Sequence, residues 1–92
     1  DAQLRESLHQ DLLDTVARTG QSVLFVTHDI SEAILLADRV ILLGGFPLGI
    51  VESVRPGFAK PRDLHAIRQS RAYADLEQHL RHQMRGVHKQ AA

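Results

Sequence analysis

Apolar residues recur every three or four positions near the start of the chain, which predicts an amphipathic helix over residues 2–18. Its apolar face consists of Leu4, Leu8, Leu12, Leu13 and Val16. Asp1 can act as the N-cap of this helix, and Gly20 can adopt the left-handed conformation that ends it.

Two short apolar runs follow the helix, at residues 22–26 and 40–43, and each predicts a strand. Consecutive β-forming residues are typical of strands that are covered on both faces, as in parallel sheets. Ser31 can cap a short helix through Ala37 between them. The thirteen residues 27–39 are about the minimum for a right-handed crossover, so the pattern predicts a βαβ unit.

The remaining pattern predicts a hairpin and a helical tail. Residues 44–47, Gly-Gly-Phe-Pro, break the chain, and residues 49–54 alternate weakly, as expected of an antiparallel edge strand. Prolines at 56 and 61 mark a linker, and Asp63 can cap a final helical region that runs to Arg85. Two parallel strands are not stable alone, so we expect further strands of the sheet to precede residue 1.

Composition restricts the class of protein. Ninety-two residues make at most one small domain, and because Met84 is the only methionine we interpret the chain as part of a longer protein. With no cysteine, disulfides and thiolate metal sites are excluded. The longest apolar runs are far shorter than the roughly 20 residues that a transmembrane helix needs.

Zero net charge conceals an asymmetry, because residues 1–52 carry eight acids and three bases whereas residues 53–92 carry three acids and eight bases. A nucleic-acid surface is one interpretation, but the basic half has only Phe58 and Tyr73 as aromatic residues and no tight Lys/Arg cluster. A solvated or partner-facing helix is favoured.

His28 is the leading candidate for chemistry. It follows the first predicted strand, and the carboxyl ends of parallel strands open onto the ligand crevice of the sheet. Taken alone, such a histidine is more often an ordinary hydrogen-bonded residue. A metal site is not supported by the other histidines, which are His9, His65, His79, His82 and His88. His79 and His82 lie three apart on one predicted helix, but nothing nearby completes a set of metal ligands, so solvated helix surface is the better interpretation.

Several segments together resemble the C-terminal third of an ABC transporter ATPase. They are Asp1-Ala2-Gln3-Leu4-Arg5, Thr27-His28-Asp29, Glu32-Ala33 and Leu36-Ala37-Asp38-Arg39, in the order of that family. Gly49-Ile50-Val51 and Lys60-Pro61-Arg62-Asp63 are similar to the nitrate, sulfonate and taurine importer type. The stretch at residues 44–48 departs from the basic, proline-rich turn of that subgroup.

The resemblance implies roles for two residues. His28 resembles the switch histidine that contacts the γ-phosphate, and Asp1 resembles the D-loop aspartate that reaches the nucleotide site of the opposite subunit. Glu32 is interpreted as an acid that the dipole of its helix favours in the first turn, and not as a general base, because the family places its catalytic glutamate before residue 1. The implied fold is α/β, a fragment of a P-loop NTPase sheet with a βαβ unit, a hairpin and a C-terminal helical tail.

The implied division is residues 1–54 for the C-terminal part of the ATPase core and 55–92 for a linker and helical tail. The resemblance further implies an ATP-hydrolysing importer subunit at the cytoplasmic face of the membrane, using ATP and Mg²⁺ whose ligands lie outside these residues. Its expected partners are a second ATPase subunit, transmembrane permease subunits and, indirectly, a solute-binding protein, with no nucleic acid. We expect residues 1–92 alone to be inactive. A regulatory or dimerisation fragment, and an ABC ATPase of a nucleic-acid-associated system, remain as alternatives.

Overall fold

The computed structural model describes residues 2–44 and 49–91, and the side chains of those residues as far as residue 86. Four helices and two strands occur within this part of the chain. In order they are α1 (Ala2–Thr19), α2 (Ile30–Leu36), β1 (Val40–Gly44), β2 (Gly49–Val54), α3 (Leu64–Arg68) and α4 (Arg71–Ala91). The described part is therefore mixed α/β.

Helix α1 confirms the prediction from hydrophobic periodicity almost to the residue. Gly20 follows it with a φ of 70°, the left-handed conformation expected of a helix stop. The apolar face is only partly covered, because Leu13 packs against the core whereas Leu4 and Leu8 are each 59% exposed. The proposed cap, Asp1, lies outside the described residues.

The predicted strand at residues 22–26 is wrong for this structure. These residues form no strand, and Leu24 and Val26 are 93% and 88% exposed. A parallel strand needs a hydrogen-bonded neighbour and cover on both faces, and the described residues offer it neither. The βαβ unit is therefore not formed.

The predicted hairpin is confirmed. Strands β1 and β2 pair antiparallel, from Val40 opposite Val54 to Gly44 opposite Gly49, with an irregularity between Leu42 and Leu43. Val40 and Leu42 point into the core while Ile41 is exposed, so β1 is covered on one face and not on both as predicted. Residues 45–47 of the predicted chain break lie outside the described residues.

The core forms where α2 is enclosed by the hairpin and the tail. One cluster joins Ile30 and Ile34 of α2 to Val40 of β1 and Leu80 of α4. A second joins Leu35 of α2 to two buried residues of α3, Leu64 and Ile67. Phe58 and Tyr73 pack against both clusters. Helix α4 is thus packed directly on α2 and β1.

The start of the helical tail follows the prediction but its continuity does not. Asp63 is the N-cap of α3, and its carboxylate accepts a hydrogen bond from the backbone N–H of Ala66 at 3.2 Å. The predicted single helical region is interrupted at Gln69 and Ser70, where the Ser70 hydroxyl donates to the Ile67 carbonyl at 2.7 Å. Because this hydroxyl also accepts from the Tyr73 N–H, Ser70 links the end of α3 to the start of α4.

Arg62 joins the tail to the end of α2. Its guanidinium donates to the carbonyl oxygens of Leu36 at 2.6 Å and Ala37 at 3.2 Å, and to the carboxylate of Asp38 at 2.8 Å. Carbonyls in the last turn of a helix have no partner within the helix, so Arg62 supplies one. Only 4% of its side chain is exposed.

Candidate functional site around His28

The turn that carries His28 is held by its neighbours on both sides. The Asp29 backbone N–H donates to the Thr27 hydroxyl at 3.0 Å, and the Asp29 carboxylate accepts from the Glu32 N–H at 3.2 Å. Asp29, and not Ser31 as predicted, is therefore the N-cap of α2. Aspartate and serine both cap helices well. Asp29 takes the role because it lies three residues before Glu32, whose backbone N–H its carboxylate reaches.

His28 itself lies exposed on this turn. It borders a shallow cleft of about 50 Å³ between the turn, β1 and α4. Besides Thr27, His28 and Asp29, apolar residues line the cleft, among them Ile41 and Met84. An exposed imidazole on a rigid turn can offer a ring N–H to a ligand that approaches from outside.

Glu32 connects the turn to α1. Its carboxylate lies 2.7 Å from Nε2 of His9, which is buried on α1. The sequence predicted Glu32 as an acid in the first turn of a helix and His9 as solvated helix surface, and the burial of His9 shows that the second prediction is wrong. A signal was present, because His9 lies four residues before Leu13 and so belongs to the same helical face.

Ser31 connects the turn to α4. Its hydroxyl donates to Oε2 of Glu77 at 2.6 Å, and the Tyr73 hydroxyl donates to the same oxygen at 2.8 Å. The Ser31 hydrogen bond is the main reason that the pKa of Glu77 is lowered, and the Tyr73 hydrogen bond adds to it. Burial raises the pKa of the Tyr73 hydroxyl. Nothing in the sequence pattern indicated this contact.

A third polar contact joins the hairpin to α4. Nε2 of His79 lies 2.8 Å from both carboxylate oxygens of Glu52, and the Gln83 amide donates to Glu52 at 3.1 Å. The Gln83 and His79 hydrogen bonds lower the pKa of Glu52. His79 is thus half-exposed and paired, and the described residues contain no group of three or more His, Cys, Asp or Glu that could hold a metal ion.

These carboxylates predict how stability depends on pH. The pKa values of Glu52 and Glu77 are lowered from an ordinary 4.5, and hydrogen bonding to Lys60 lowers that of Asp38 from 3.8. A lowered folded-state pKa contributes stability that is present above the unfolded value and is lost as pH falls through the folded value. In urea unfolding experiments, these groups should contribute a constant amount to the free energy of unfolding above about pH 5.5. Below about pH 4.5 the free energy of unfolding should fall.

The Glu77→Gln variant isolates one of these groups. Because glutamine does not titrate, the decline below about pH 4.5 should be shallower in this variant than in the parent chain. Asp75→Asn is the matched control, since Asp75 forms only a loose 3.9 Å ion pair with Arg71 on the exposed face of α4. An identical decline in Glu77→Gln and the parent chain would contradict the assignment.

The amino-acid sequence of the chain is similar to those of several known proteins. It is 45% identical over 75 residues to an aliphatic sulfonates import ATP-binding protein of Xanthomonas axonopodis pv. citri, covering 77% of this chain and 30% of the relative. A nitrate import ATP-binding protein of Synechococcus elongatus is 36% identical over 77 residues, covering 83% of this chain and 28% of the relative. The chain belongs to the ABC transporter ATP-binding proteins.

A third member of this ABC family, a taurine import ATP-binding protein of Chromobacterium violaceum, is 42% identical over 60 residues, covering 65% of this chain and 23% of the relative. The chain spans less than a third of the length of these ABC relatives. No protein-family model matches it. In the described residues, no helix is both long and apolar enough to cross a membrane.

Membership of the ABC family implies the P-loop NTPase fold. The described part of this chain contributes one antiparallel hairpin and four helices. His28, the first predicted site residue, lies exposed on the capped turn before α2. Asp1, the second predicted site residue, lies outside the described residues.

Proposed function

We propose that the chain is the C-terminal part of the ATP-hydrolysing subunit of an ABC importer, and that His28 is its catalytic contribution. The observation that carries this proposal is the exposed imidazole of His28 on a turn fixed by the Asp29 cap, in a chain homologous to importer ATP-binding proteins. Sulfonate, nitrate and taurine importers among the relatives support the import of a small anionic or zwitterionic solute.

The role of His28 follows from the chemistry of phosphoryl transfer. Negative charge is spread over the γ-phosphate oxygens in the transition state, and catalysis depends on positioned donors that meet this charge. An N–H of the His28 ring supplies such a donor. Its value depends on rigidity, which the Thr27 and Asp29 hydrogen bonds give to the turn.

The other parts of the site belong to the rest of the complete protein. ATP is the substrate, and Mg²⁺ neutralises charge on its β- and γ-phosphates when bound. The phosphate-binding lysine, the Mg²⁺ ligands and the catalytic glutamate are assigned outside residues 1–92, because this chain contains no glycine-rich phosphate loop. Asp1 is proposed to act in the D-loop, across the interface with a second subunit.

The proposed partners follow from the importer assignment. A second ATPase subunit completes the nucleotide sites. ATP hydrolysis drives conformational change in the permease subunits, to which a solute-binding protein delivers the solute. The complete protein would lie at the cytoplasmic face of the membrane. The packing of α4 on α2 and β1 supports a tail that is built into the ATPase core, and so favours this proposal over a separate regulatory or dimerisation fragment.

A comparison of this chain with the complete protein tests the proposal. The complete protein should hydrolyse ATP in a Mg²⁺-dependent manner, whereas purified residues 1–92 should show no turnover above buffer, because one donor without the phosphate loop cannot bind ATP tightly. Phosphate release measured at saturating ATP distinguishes the two. Mg²⁺-dependent turnover by residues 1–92 that disappears in His28→Ala would contradict the proposal that the rest of the site lies outside these residues.

A further inference from the structure

The tail helix α4 contacts the first turn of α2 through a polar cluster that the catalytic proposal does not use. Ser31 lies in the first turn of α2, and its hydroxyl donates to Oε2 of Glu77 at 2.6 Å. Tyr73 donates to the same oxygen at 2.8 Å, and Nε of Arg81 lies 3.7 Å from the other oxygen, Oε1. Nη2 of Arg81 also reaches the Ser31 hydroxyl, at 3.4 Å. We call these four residues the Glu77 cluster.

The Glu77 cluster begins three residues after His28. Between His28 and Ser31 lie the cap residue Asp29 and the buried Ile30. Because these two residues restrict the backbone, a shift of Ser31 would also move the turn that carries His28. On the other side, Glu32 is paired with His9 of α1 at 2.7 Å. The turn is thus braced from α1 and from α4.

We propose that Glu77 is a positioning residue for His28, acting from the tail helix through the Ser31 hydroxyl. This inference rests on the proposed catalytic role of His28. It assigns helix α4 an indirect part in hydrolysis. Because the side chain of His28 is exposed, its position depends on how firmly the turn is anchored.

The carboxylate of Glu77 suits this task better than a neutral side chain. It accepts from two hydroxyl groups on one oxygen and faces the Arg81 guanidinium with the other. Hydrogen bonds to a charged acceptor are shorter and stronger than those between neutral groups. Tyr73 packs against both core clusters, so the carboxylate is itself held in place.

Steady-state ATP hydrolysis by the complete protein tests the inference. Glu77→Ala should lower kcat about 10-fold, the effect of losing one charged hydrogen bond, with KM for ATP changed less than about twofold. Glu77→Gln should recover part of kcat, because its amide oxygen still accepts from both hydroxyls but carries no charge. Asp75→Ala is the matched control and should leave kcat unchanged, since among the described side chains Asp75 pairs only with Arg71 on the same helix face.

A purely structural role for Glu77 gives a different result. It would lower the melting temperature while kcat per nucleotide-binding site, counted with a tight-binding ATP analogue, stayed within twofold of the parent, and this outcome would overturn the inference. Ser31→Ala removes the other half of the contact with little change in volume, so it replaces Glu77→Ala if that variant does not fold, and it should show the same loss of kcat.

His28→Ala in the same assay separates the inference from the function on which it rests. If His28→Ala loses turnover and Glu77→Ala and Ser31→Ala do not, the positioning role is wrong and the catalytic role stands. If His28→Ala keeps full turnover, the proposed function itself fails.

Discussion

Replacing His28 with alanine in the complete protein should reduce ATP turnover by about 10²- to 10³-fold. The expected loss, about 3 to 4 kcal/mol of transition-state stabilisation, is that of one preorganised donor in a phosphoryl-transfer site. Nucleotide binding should remain nearly intact, because the imidazole meets charge that develops only as the γ-phosphate leaves. Phosphate release at saturating ATP and equilibrium binding of a fluorescent ATP analogue measure the two effects separately.

His82→Ala is the control for this experiment, since His82 is an exposed histidine on α4. It should leave both turnover and binding within about twofold of the parent, as expected of a surface substitution. Parallel losses of binding and turnover in His28→Ala would assign His28 a structural role instead.

Removing Arg62 should destabilise the chain by about 3 kcal/mol. Its guanidinium is buried and binds two carbonyl oxygens at the end of α2 and the carboxylate of Asp38. Alanine leaves these acceptors without their donor and also removes packing between the linker and α2. The free energy of unfolding of Arg62→Ala in urea measures the whole effect, and Arg62→Met, which keeps the apolar stem, isolates the hydrogen bonds.

Lys60 provides a matched control, because it pairs with the same carboxylate of Asp38, at 3.0 Å, while both side chains are about two-thirds exposed. Exposed ion pairs contribute about 0 to 1 kcal/mol, so Lys60→Ala should cost less than about 0.5 kcal/mol. Equal losses in Arg62→Ala and Lys60→Ala would show that burial of the guanidinium does not matter.

Local signals predicted the elements whose structure depends on neighbouring residues. Helix α1 follows from its three- and four-residue spacing, the hairpin from the chain break and the alternation after it, and the start of α3 from Asp63. In each case the hydrogen bonds that define the element close within a short stretch of sequence.

The prediction of a strand at residues 22–26 was wrong because the stability of a strand does not depend on its own residues alone. Apolar β-forming residues describe what a strand needs, and pairing with a neighbour decides whether it forms. The turn after it was predicted as the place of chemistry, and the structure leaves His28 exposed there. Its catalytic role stays a prediction.

The contacts of Arg62 and Glu77 could not be predicted from the sequence for another reason. Arg62 meets Leu36 across 26 positions, and Ser31 meets Glu77 across 46. No periodicity relates residues so far apart, and a charged residue in a linker or on an amphipathic helix is most often solvated. The packing of α4 on α2 brings Glu77 to Ser31, and the packing of α3 on α2 brings Arg62 to Leu36.

The uncovered run of Leu24, Phe25 and Val26 affects how this chain behaves when purified. An exposed apolar segment without a partner strand can pair with the backbone of a second molecule, as in the early steps of amyloid growth. Concentrated preparations should therefore tend to self-associate through this segment. A lysine or proline in place of Leu24 would act as a gatekeeper against precipitation.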